Sequence, residues 1–352
     1  MRLFIYADPH WSSYSSIVRS RGEKYSTRLE NLIKTMNWIE EQAEINRCSA
    51  IVCLGDFFDK SELNSEEITA IGEIMWADMA HWFIVGNHEM GRNNLEHSSS
   101  HLFEMLPDGL VIDEPMAFDT HDTTIILLPY ILESHRKPLK EYLTDKNFMG
   151  LGALKENVII LSHNDIAGIQ MGKFLSTDGF SIEEIEENCS LFINGHLHNE
   201  ADIGKNIINL GNITGQNFSE DAFKYGHRAL LIDTNTKSVQ KFENPYAMNF
   251  YKVDCTRMKE SEMIETLNGL KYPAVATIRT SGSMIHSVNK QLSETSNIIS
   301  HRVLVDANTT TNNVVDEIEQ TSLDHISKFV EYALTNIGAD ELTKNEIERI
   351  SK

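Results

Sequence analysis

The sequence predicts a mixed α/β fold in which two β-sheets pack on each other with helices outside both, followed by a small α+β domain and C-terminal helices. Strand-like and helix-like segments alternate at the start of the chain, which is the rhythm of a parallel sheet. After residue 107, strand-like segments follow one another closely, which predicts the second sheet. The turn-forming run Glu243-Asn244-Pro245 predicts a domain boundary.

The first elements follow from hydrophobic periodicity. A helix is predicted over residues 25–42, with apolar residues on one face, Thr27 as its N-cap and Glu30 completing a capping box. A second helix is predicted over 65–76. The second sheet is predicted to contain the apolar segments near residues 158 and 191 and five further strands. The five further strands are residues 110–112, 124–128, 207–210, 229–232 and 239–242.

The chain beyond residue 245 is predicted to form separate, smaller elements. Strands are expected at 250–253, 274–279 and 301–305, with helices near 261–269 and 284–292. A polar linker is expected at 308–320, and helices are expected in 321–352. Leu323, Ile326, Val330, Leu334 and Ile337 recur there at helical spacing, which predicts one apolar stripe that either docks a partner or folds back on the small domain.

The composition is that of an ordinary folded protein of about two domains. The chain has 352 residues, with 41% hydrophobic and 24% charged residues. Its four cysteines include no CxxC pair, so a reduced, cytoplasmic protein is expected. A strand that begins at Leu3 leaves no room for a signal peptide, and no apolar stretch approaches a membrane span. The net charge of −21 is opposite to that of a typical nucleic-acid-binding protein, although residues 250–302 hold seven basic against five acidic residues.

Five apolar segments are each followed at once by a turn that carries Asp, Asn or His. If the segments are strands lying side by side, their carboxyl ends form one patch of donors, which is where ligand sites of open α/β sheets gather. Oxygen and imidazole donors without cysteine suit a divalent metal such as Mn, Fe or Zn. The turns are Asp8-Pro9-His10, Gly55-Asp56-Phe57-Phe58-Asp59, Gly86-Asn87-His88-Glu89, Ser162-His163-Asn164 and Gly195-His196-Leu197-His198.

These turns offer more donors than one cation needs, so the sequence predicts two cations. Two cations about 3.5–4 Å apart suit phosphoryl transfer, with a shared solvent molecule attacking phosphorus as hydroxide. Asp56 is central in chain order and is expected to bridge them, and His88 is expected to protonate the leaving oxygen. The predicted ligands are Asp8, His10, Asp56, Asn87, His163, His196 and His198.

Each turn taken alone has an ordinary interpretation. An Asp-x-His pair arises by chance in most proteins, His196-Leu197-His198 could be a surface turn, and Asn87 could be a turn former. Asp59 could be a helix N-cap or a group that supports the ligands. His97 and His101 follow no such strand and are expected on the surface or in a helix. The five turns together, in this order, favour a site.

The same motifs resemble those of the calcineurin-like metallophosphoesterases over about residues 1–200. The resemblance implies a two-sheet αββα sandwich and two metals. One metal would be held by residues matching Asp8, His10, Asp56 and His198. The other would be held by residues matching Asp56, Asn87, His163 and His196, with the residue matching His88 assisting catalysis. Glu89 stands where Asp is commoner in the family.

A narrower resemblance follows the last motif. Residues 209–212 read Asn-Leu-Gly-Asn, residues 218–220 read Phe-Ser-Glu, and residues 225–226 read Tyr-Gly. This order is similar to SbcD-type nucleases of double-strand-break repair and recombination. The resemblance implies a Mn²⁺-dependent DNA exonuclease and endonuclease subunit, expected to be a homodimer, and a coiled-coil ATPase partner of the SbcC type. The modest length is most like phage-encoded members, for which the cytoplasm would be that of the host.

On this reading residues 1–244 are the nuclease domain, 245–307 a DNA-binding cap, 308–320 a linker and 321–352 the helical segment that grips the ATPase. The alternative is a stand-alone metallophosphatase or nucleotide phosphodiesterase, which would not need residues 245–352. A non-catalytic scaffold is the third interpretation, but it would be expected to have lost ligands, and none is missing.

Overall fold

The computed structural model of the chain describes residues 1–14, 22–120, 123–144, 157–171 and 174–306. The predicted linker and C-terminal helices lie outside the described residues. The strands are β1 (Arg2–Tyr6), β2 (Ala50–Cys53), β3 (Ala80–Ile84), β4 (Met90–Gly91), β5 (Asn94–Ser98), β6 (Gly109–Ile112), β7 (Met116–Asp119), β8 (Thr124–Leu128), β9 (Val158–Ser162), β10 (Ile166–Ala167), β11 (Gln170–Met171), β12 (Phe174–Leu175), β13 (Phe180–Ser181), β14 (Leu191–Asn194), β15 (Ala201–Ile203), β16 (Ile207–Asn209), β17 (Arg228–Asp233), β18 (Ser238–Glu243), β19 (Asn249–Asp254), β20 (Ala274–Thr280) and β21 (Ile298–Val305). The helices are α1 (Thr27–Ile45), α2 (Ser65–Ile71), α3 (Leu139–Thr144), α4 (Ile182–Asn188), α5 (Glu260–Asn268) and α6 (Ile285–Glu294).

Two six-stranded sheets form the main body of the fold, as the sequence predicts. Sheet one has the order β18-β17-β1-β2-β3-β6, and sheet two has the order β15-β16-β14-β9-β8-β7. In sheet one β1, β2, β3 and β6 are parallel, and in sheet two β8, β9, β14 and β16 are parallel. The remaining strands add antiparallel edges. The predicted mixed α/β two-sheet class is confirmed.

Three hydrophobic clusters show how the layers pack. The inner faces of the two sheets share one cluster, in which Ile5 and Val52 of sheet one meet Ile159 and Ile193 of sheet two. The outer face of sheet one packs against α1, and the outer face of sheet two packs against α3 and α4. Because both faces of the central strands are covered, these strands are apolar throughout rather than alternating.

Both predicted N-terminal helices form, with different ends. α1 is capped by Ser26, whose hydroxyl accepts a hydrogen bond from the Leu29 amide (3.2 Å), so the predicted cap at Thr27 is wrong by one residue. α2 stops at Ile71 rather than near residue 76. Its start at Asn64 is a full capping box with Glu67, which rules out Asp59 as the cap of this helix.

The assignment of strands to sheets differs from the sequence prediction. Strands β6, β17 and β18 were expected in the second sheet but belong to sheet one. β17 returns to pair antiparallel with β1, so that Leu230 lies opposite Ile5. Apolar patterning shows that a strand is buried, but it does not show which neighbour the strand chooses.

The chain divides into two compact units. Among the described residues, the first comprises those within 1–252, 270–277 and 296–301, and the second comprises 253–269, 278–295 and 302–306. Within the second unit, α5 packs against α6, and the side-chain amide of Gln291 donates to Asn268 Oδ1 (2.8 Å). The boundary at residue 245 remains a prediction. Among the described residues, the longest apolar helical stretch falls short of what a membrane crossing requires.

Candidate metal centre

Strand register brings the five turns to one place. In sheet one Tyr6 pairs with Cys53, and Cys53 pairs with Phe83, so the turns after β1, β2 and β3 leave the same edge. In sheet two Ser162 pairs with Asn194, which aligns the turns after β9 and β14. The two edges then meet, because the carbonyl of Leu54 lies 2.6 Å from His163 Nδ1.

Four of the predicted ligands have left-handed backbone conformations. Asp8, His10, Asp56 and His196 have φ values of 52°, 47°, 48° and 73°. Non-glycine residues adopt this region rarely, at a cost of about 1–3 kcal/mol each, and such residues cluster at functional sites. Backbone hydrogen bonds hold the first two turns together, with the His10 amide donating to the carbonyl of Asp56 (3.1 Å).

Two motif glycines are required because the turns approach one another closely. Gly55 has φ of +102°, and a Cβ there would lie 2.2 Å from His163 Nδ1. A Cβ on Gly86 would lie 2.2 Å from Asp56 Oδ1. Any larger side chain at either position would displace a predicted ligand.

The first group of donors consists of Asp8, His10 and His198, whose ligand atoms all lie within 4.8 Å of one another. The Nε2 atoms of the two histidines face each other at 3.1 Å. Asp56 Oδ2 lies 3.9 Å from His10 Nε2 and so borders this group. The carboxylate of Asp8 accepts the amide hydrogen of His196 (3.1 Å to each oxygen), which fixes its orientation.

The second group consists of Asp56, His163 and His196, again within 4.8 Å of one another, with Asn87 beside them. His163 Nε2 lies 3.2 Å from Asp56 Oδ2 and 3.2 Å from Asn87 Oδ1. His196 Nδ1 lies 2.9 Å from the same Asn87 oxygen. Asp56 therefore lies between the two groups, and its role as a bridging ligand stays a prediction that this position allows.

The tautomers of these histidines suit cation binding. His163 Nδ1 must donate to the Leu54 carbonyl, which leaves a lone pair on Nε2 in the neutral ring. His196 Nε2 faces Asp165 Oδ1 at 3.1 Å, which leaves a lone pair on Nδ1. Each lone pair points at oxygen acceptors of Asp56 or Asn87, an arrangement that a divalent cation satisfies. The donor set therefore fits two such cations.

Burial and the charges of neighbouring side chains shift the pKa values of several predicted ligands. Burial and the neighbouring His10 lower the pKa of His198 to about 3, and burial lowers that of His10, so both rings are neutral at pH 7. Burial also lowers the pKa of His163, but the facing carboxylate of Asp56 outweighs it and raises that pKa to about 9. Burial raises the pKa of Asp8 above its ordinary range.

His88 lies on the open side of the centre. Its ring is 43% exposed, and its Nδ1 lies 3.3 Å from the carbonyl of Asp59. Its amide, rather than its ring, contacts Asp56, at 2.9 Å from Oδ1. The ring atoms of His88 also fall within 4.8 Å of ligand atoms of His10 and Asp56, so geometry alone permits it to bind a cation. The other predicted histidines, His97 and His101, lie outside these groups.

Two carboxylates support the turns without joining the donor groups. Asp59 Oδ1 lies 3.2 Å from His10 Nδ1, which favours the supporting role over the helix-cap role. Glu89 is fully buried and accepts the amides of Gly86 (2.8 Å) and Phe58 (3.0 Å), so it ties the second turn to the third. Burial and the nearby charge of Asp56 raise the pKa of Glu89 to about 7.

Arg28 and Asp165 contact the centre but were not among the residues predicted from the sequence. Arg28 is 1% exposed, and its guanidinium donates to the carbonyls of Pro9 (2.8 Å) and Gly215 (2.8 Å). It therefore anchors the turn that carries Asp8 and His10. An arginine among the apolar positions of α1 was the available signal, because a buried arginine needs partners.

A comparison with protein-family models assigns the chain to a family. The Calcineurin-like phosphoesterase family matches residues 1–200, so the chain belongs to that family. Membership indicates a metal-dependent phosphoesterase. No curated protein sequence matches the chain. Among solved structures, the crystal structure of TT1561 of Thermus thermophilus is similar over 69% of this chain and 98% of its own, with 9% identity and a TM-score of 0.39.

Replacing Arg28 by methionine is expected to destabilise the protein by about 3 kcal/mol, because two buried carbonyls lose their donors. Urea unfolding measures the change as a lower midpoint at constant slope. Lys34→Met is the matched control, since Lys34 is exposed on the same helix. If both variants unfold at the same urea concentration, Arg28 does not stabilise the turn that carries Asp8 and His10.

Cation affinity is expected to rise with pH between 6 and 9. The cation-free His163 is protonated below its raised pKa of about 9, and a cation must displace that proton from Nε2. A lower pH therefore opposes binding, and a higher pH favours it. Calorimetry of Mn²⁺ binding at pH 7 in buffers of different ionisation enthalpy should show proton release. Affinity that is flat across this range would contradict the expectation.

Proposed function

We propose that this chain is a divalent-metal-dependent DNA nuclease subunit that hydrolyses phosphodiester bonds. The single observation that supports hydrolysis best is the position of Asp56, whose Oδ2 lies near donors of both groups, at 3.2 Å from His163 and 3.9 Å from His10. A shared carboxylate between two donor groups is the arrangement of two-metal phosphoryl-transfer sites. Manganese is the proposed resident metal.

Each residue then has a defined task. Asp8, His10 and His198 would hold one cation, Asn87, His163 and His196 would hold the other, and Asp56 would be shared by both. Divalent cations bound there would supply charge neutralisation at the phosphoryl group and a nucleophile at neutral pH. His88, on the open side, donates a proton to the leaving oxygen as the phosphorus–oxygen bond breaks.

The segment that resembles SbcD-type nucleases surrounds His198, which favours the nuclease assignment. The side chain of Asn209 donates to the carbonyls of Leu197 (2.7 Å) and Asn199 (2.7 Å), and the Asn212 amide donates to the carbonyl of His198 (3.2 Å). Glu220 Oε1 lies 3.9 Å from His198 Nδ1. The motif residues thus shape the loop that carries a predicted ligand.

The proposed setting is DNA repair and recombination in the cytoplasm, with a homodimer of this chain bound to a coiled-coil ATPase of the SbcC type. The proposed contact is the segment 321–352, which is predicted to be helical and lies beyond the described part of the chain, so this assignment rests on the sequence. Purification of the tagged chain from its native host tests it. Recovery of a large coiled-coil ATPase is expected, and its absence under conditions that preserve such complexes would count against the partner.

A stand-alone phosphatase or nucleotide phosphodiesterase is the second candidate, and one observation favours it. The net charge of −21 repels a polyanion such as DNA. A small phosphate ester carries far less negative charge, so the same repulsion opposes its binding much less. The nuclease proposal requires that the small domain or the partner supply basic contacts.

Metal titration combined with cleavage assays separates the candidates. The full chain is loaded with Mn²⁺ and incubated with single-stranded DNA, double-stranded DNA and a small activated phosphodiester. The nuclease proposal expects cleavage of DNA that stops in excess chelator. Hydrolysis of the small ester with intact DNA would favour the second candidate, and cleavage that persists in chelator would refute both.

A further inference from the structure

A pocket adjoins the candidate metal centre and has no task in the mechanism above. It has a volume of about 510 Å³, and its walls include Ile169, His196, Leu197, His198, Ile203 and Tyr225. Two of these lining residues are predicted metal ligands, His198 from the first donor group and His196 from the second. A molecule whose phosphate lies at the centre would therefore place its neighbouring chemical group in this side pocket.

The lining of the side pocket selects an uncharged, planar group. Ile169, Leu197, Ile203 and Tyr225 are all partly exposed, so their apolar surfaces remain available to a ligand. The charged side chain among the lining residues is Glu200, whose carboxylate is paired with the Arg228 guanidinium, and none of the lining residues is a lysine or arginine that would hold a second phosphate. The volume falls within the range of about 300–1,000 Å³ for small-molecule sites. A nucleobase satisfies these conditions, since it is flat, mainly apolar on its faces and joined to a phosphate.

The side pocket is held in shape by its own hydrogen bonds. The Asn209 amide fixes the loop 197–199. Gly211 has φ of +75°, and a Cβ there would lie 2.8 Å from the Glu200 nitrogen, so glycine permits a close approach of the two segments. The Tyr225 amide donates to the carbonyl of Asp221 (3.2 Å), which holds the backbone of a further lining residue. A preformed pocket binds with a smaller loss of conformational freedom.

We propose that the side pocket receives the nucleobase of the nucleotide that carries the scissile phosphate, with the Tyr225 ring as its stacking surface. This inference rests on the proposed function, since it requires phosphodiester hydrolysis at the adjoining centre. The same base chemistry can come from a DNA strand or from a free nucleotide ester. In either case the base fixes the phosphate relative to His196 and His198.

The test compares two esters that share a leaving group and differ in the base. They are the p-nitrophenyl ester of thymidine 5′-monophosphate and methyl p-nitrophenyl phosphate. In the wild type, the ratio of kcat/KM values should favour the nucleoside ester. Tyr225→Ala should lower that ratio by roughly 5- to 150-fold, the usual effect of removing a base-stacking ring, while Tyr225→Phe should preserve it. Phe223→Ala is the matched control, because Phe223 is 57% exposed in the same loop and does not line the side pocket.

A binding readout that does not depend on turnover completes the test. Saturation-transfer NMR with thymidine 5′-monophosphate should show transfer to the base protons in the wild type and in Tyr225→Phe, but not in Tyr225→Ala of equal thermal stability. An unchanged kcat/KM ratio in Tyr225→Ala overturns the inference. Failure of the wild type to hydrolyse either ester with any divalent cation instead overturns the proposed function.

A third arm identifies the source of the base. A short single-stranded oligonucleotide is compared with one that carries an abasic site at the terminal nucleotide. Slower cleavage of the abasic strand assigns the side pocket to a DNA strand. An uncleaved oligonucleotide together with a base-dependent ester assigns it to a free nucleotide. Cleavage of both strands at equal rates contradicts a base-binding role.

Discussion

Replacing Asp56 by asparagine is expected to remove both cations and abolish phosphodiesterase activity. Asp56 Oδ2 lies 3.2 Å from His163 Nε2 and 3.9 Å from His10 Nε2, so one charged oxygen serves both donor groups. The amide is neutral and presents one oxygen, so it cannot bridge two cations as a carboxylate does. Metal content after Mn²⁺ loading, measured by mass spectrometry, should fall from two cations toward none.

The variant is chosen to keep the fold. Asparagine has nearly the shape of aspartate, and its carbonyl oxygen can still accept the His88 amide hydrogen that Asp56 Oδ1 accepts at 2.9 Å. Asn87→Ala is the comparison, because Asn87 Oδ1 lies beside His163 and His196 of one donor group. We expect Asn87→Ala to weaken the binding of one cation and to leave the other bound. Equal losses in the two variants would show that Asp56 does not bridge.

Replacing His88 by alanine is expected to retain both cations and lower kcat by roughly 10²–10⁴, the usual contribution of a general acid. The ring is 43% exposed on the open side of the centre, where a leaving group would stand. The contact between residue 88 and Asp56 is made by the backbone amide, which alanine keeps. Metal content and single-turnover rates on the same preparation measure the two effects separately.

The leaving group distinguishes a proton donor from a ligand. A p-nitrophenolate departs without protonation, so an activated ester should lose much less rate in His88→Ala than DNA or an alkyl ester. His88 also lies within 4.8 Å of ligand atoms of His10 and Asp56, so the geometry also allows the alternative that His88 is a metal ligand. If the variant loses metal as fully as Asp56→Asn, His88 is a ligand and the assigned role is wrong.

Local patterns were sufficient for the five strands and turns that carry the predicted donors. The five apolar segments are strands β1, β2, β3, β9 and β14 in the structure, and each turn begins no more than two residues after its strand ends. The reason is that burial on both faces leaves a continuous apolar run, and that run is broken where the chain turns into the site. Helix ends were less predictable, since both Ser26 and Thr27 are good caps and one residue decides between them.

The sequence by itself determined the family, the mixed α/β class and the presence of donor residues at five strand ends, because these depend on local patterning. Tertiary structure decided that three of the turns come from sheet one and two from sheet two, and that β17 pairs with β1. It also decided that Arg28 and Asp165 support the centre. Such contacts join residues far apart in the chain, and their choice depends on packing and on the pairing of buried polar groups, which no local pattern encodes.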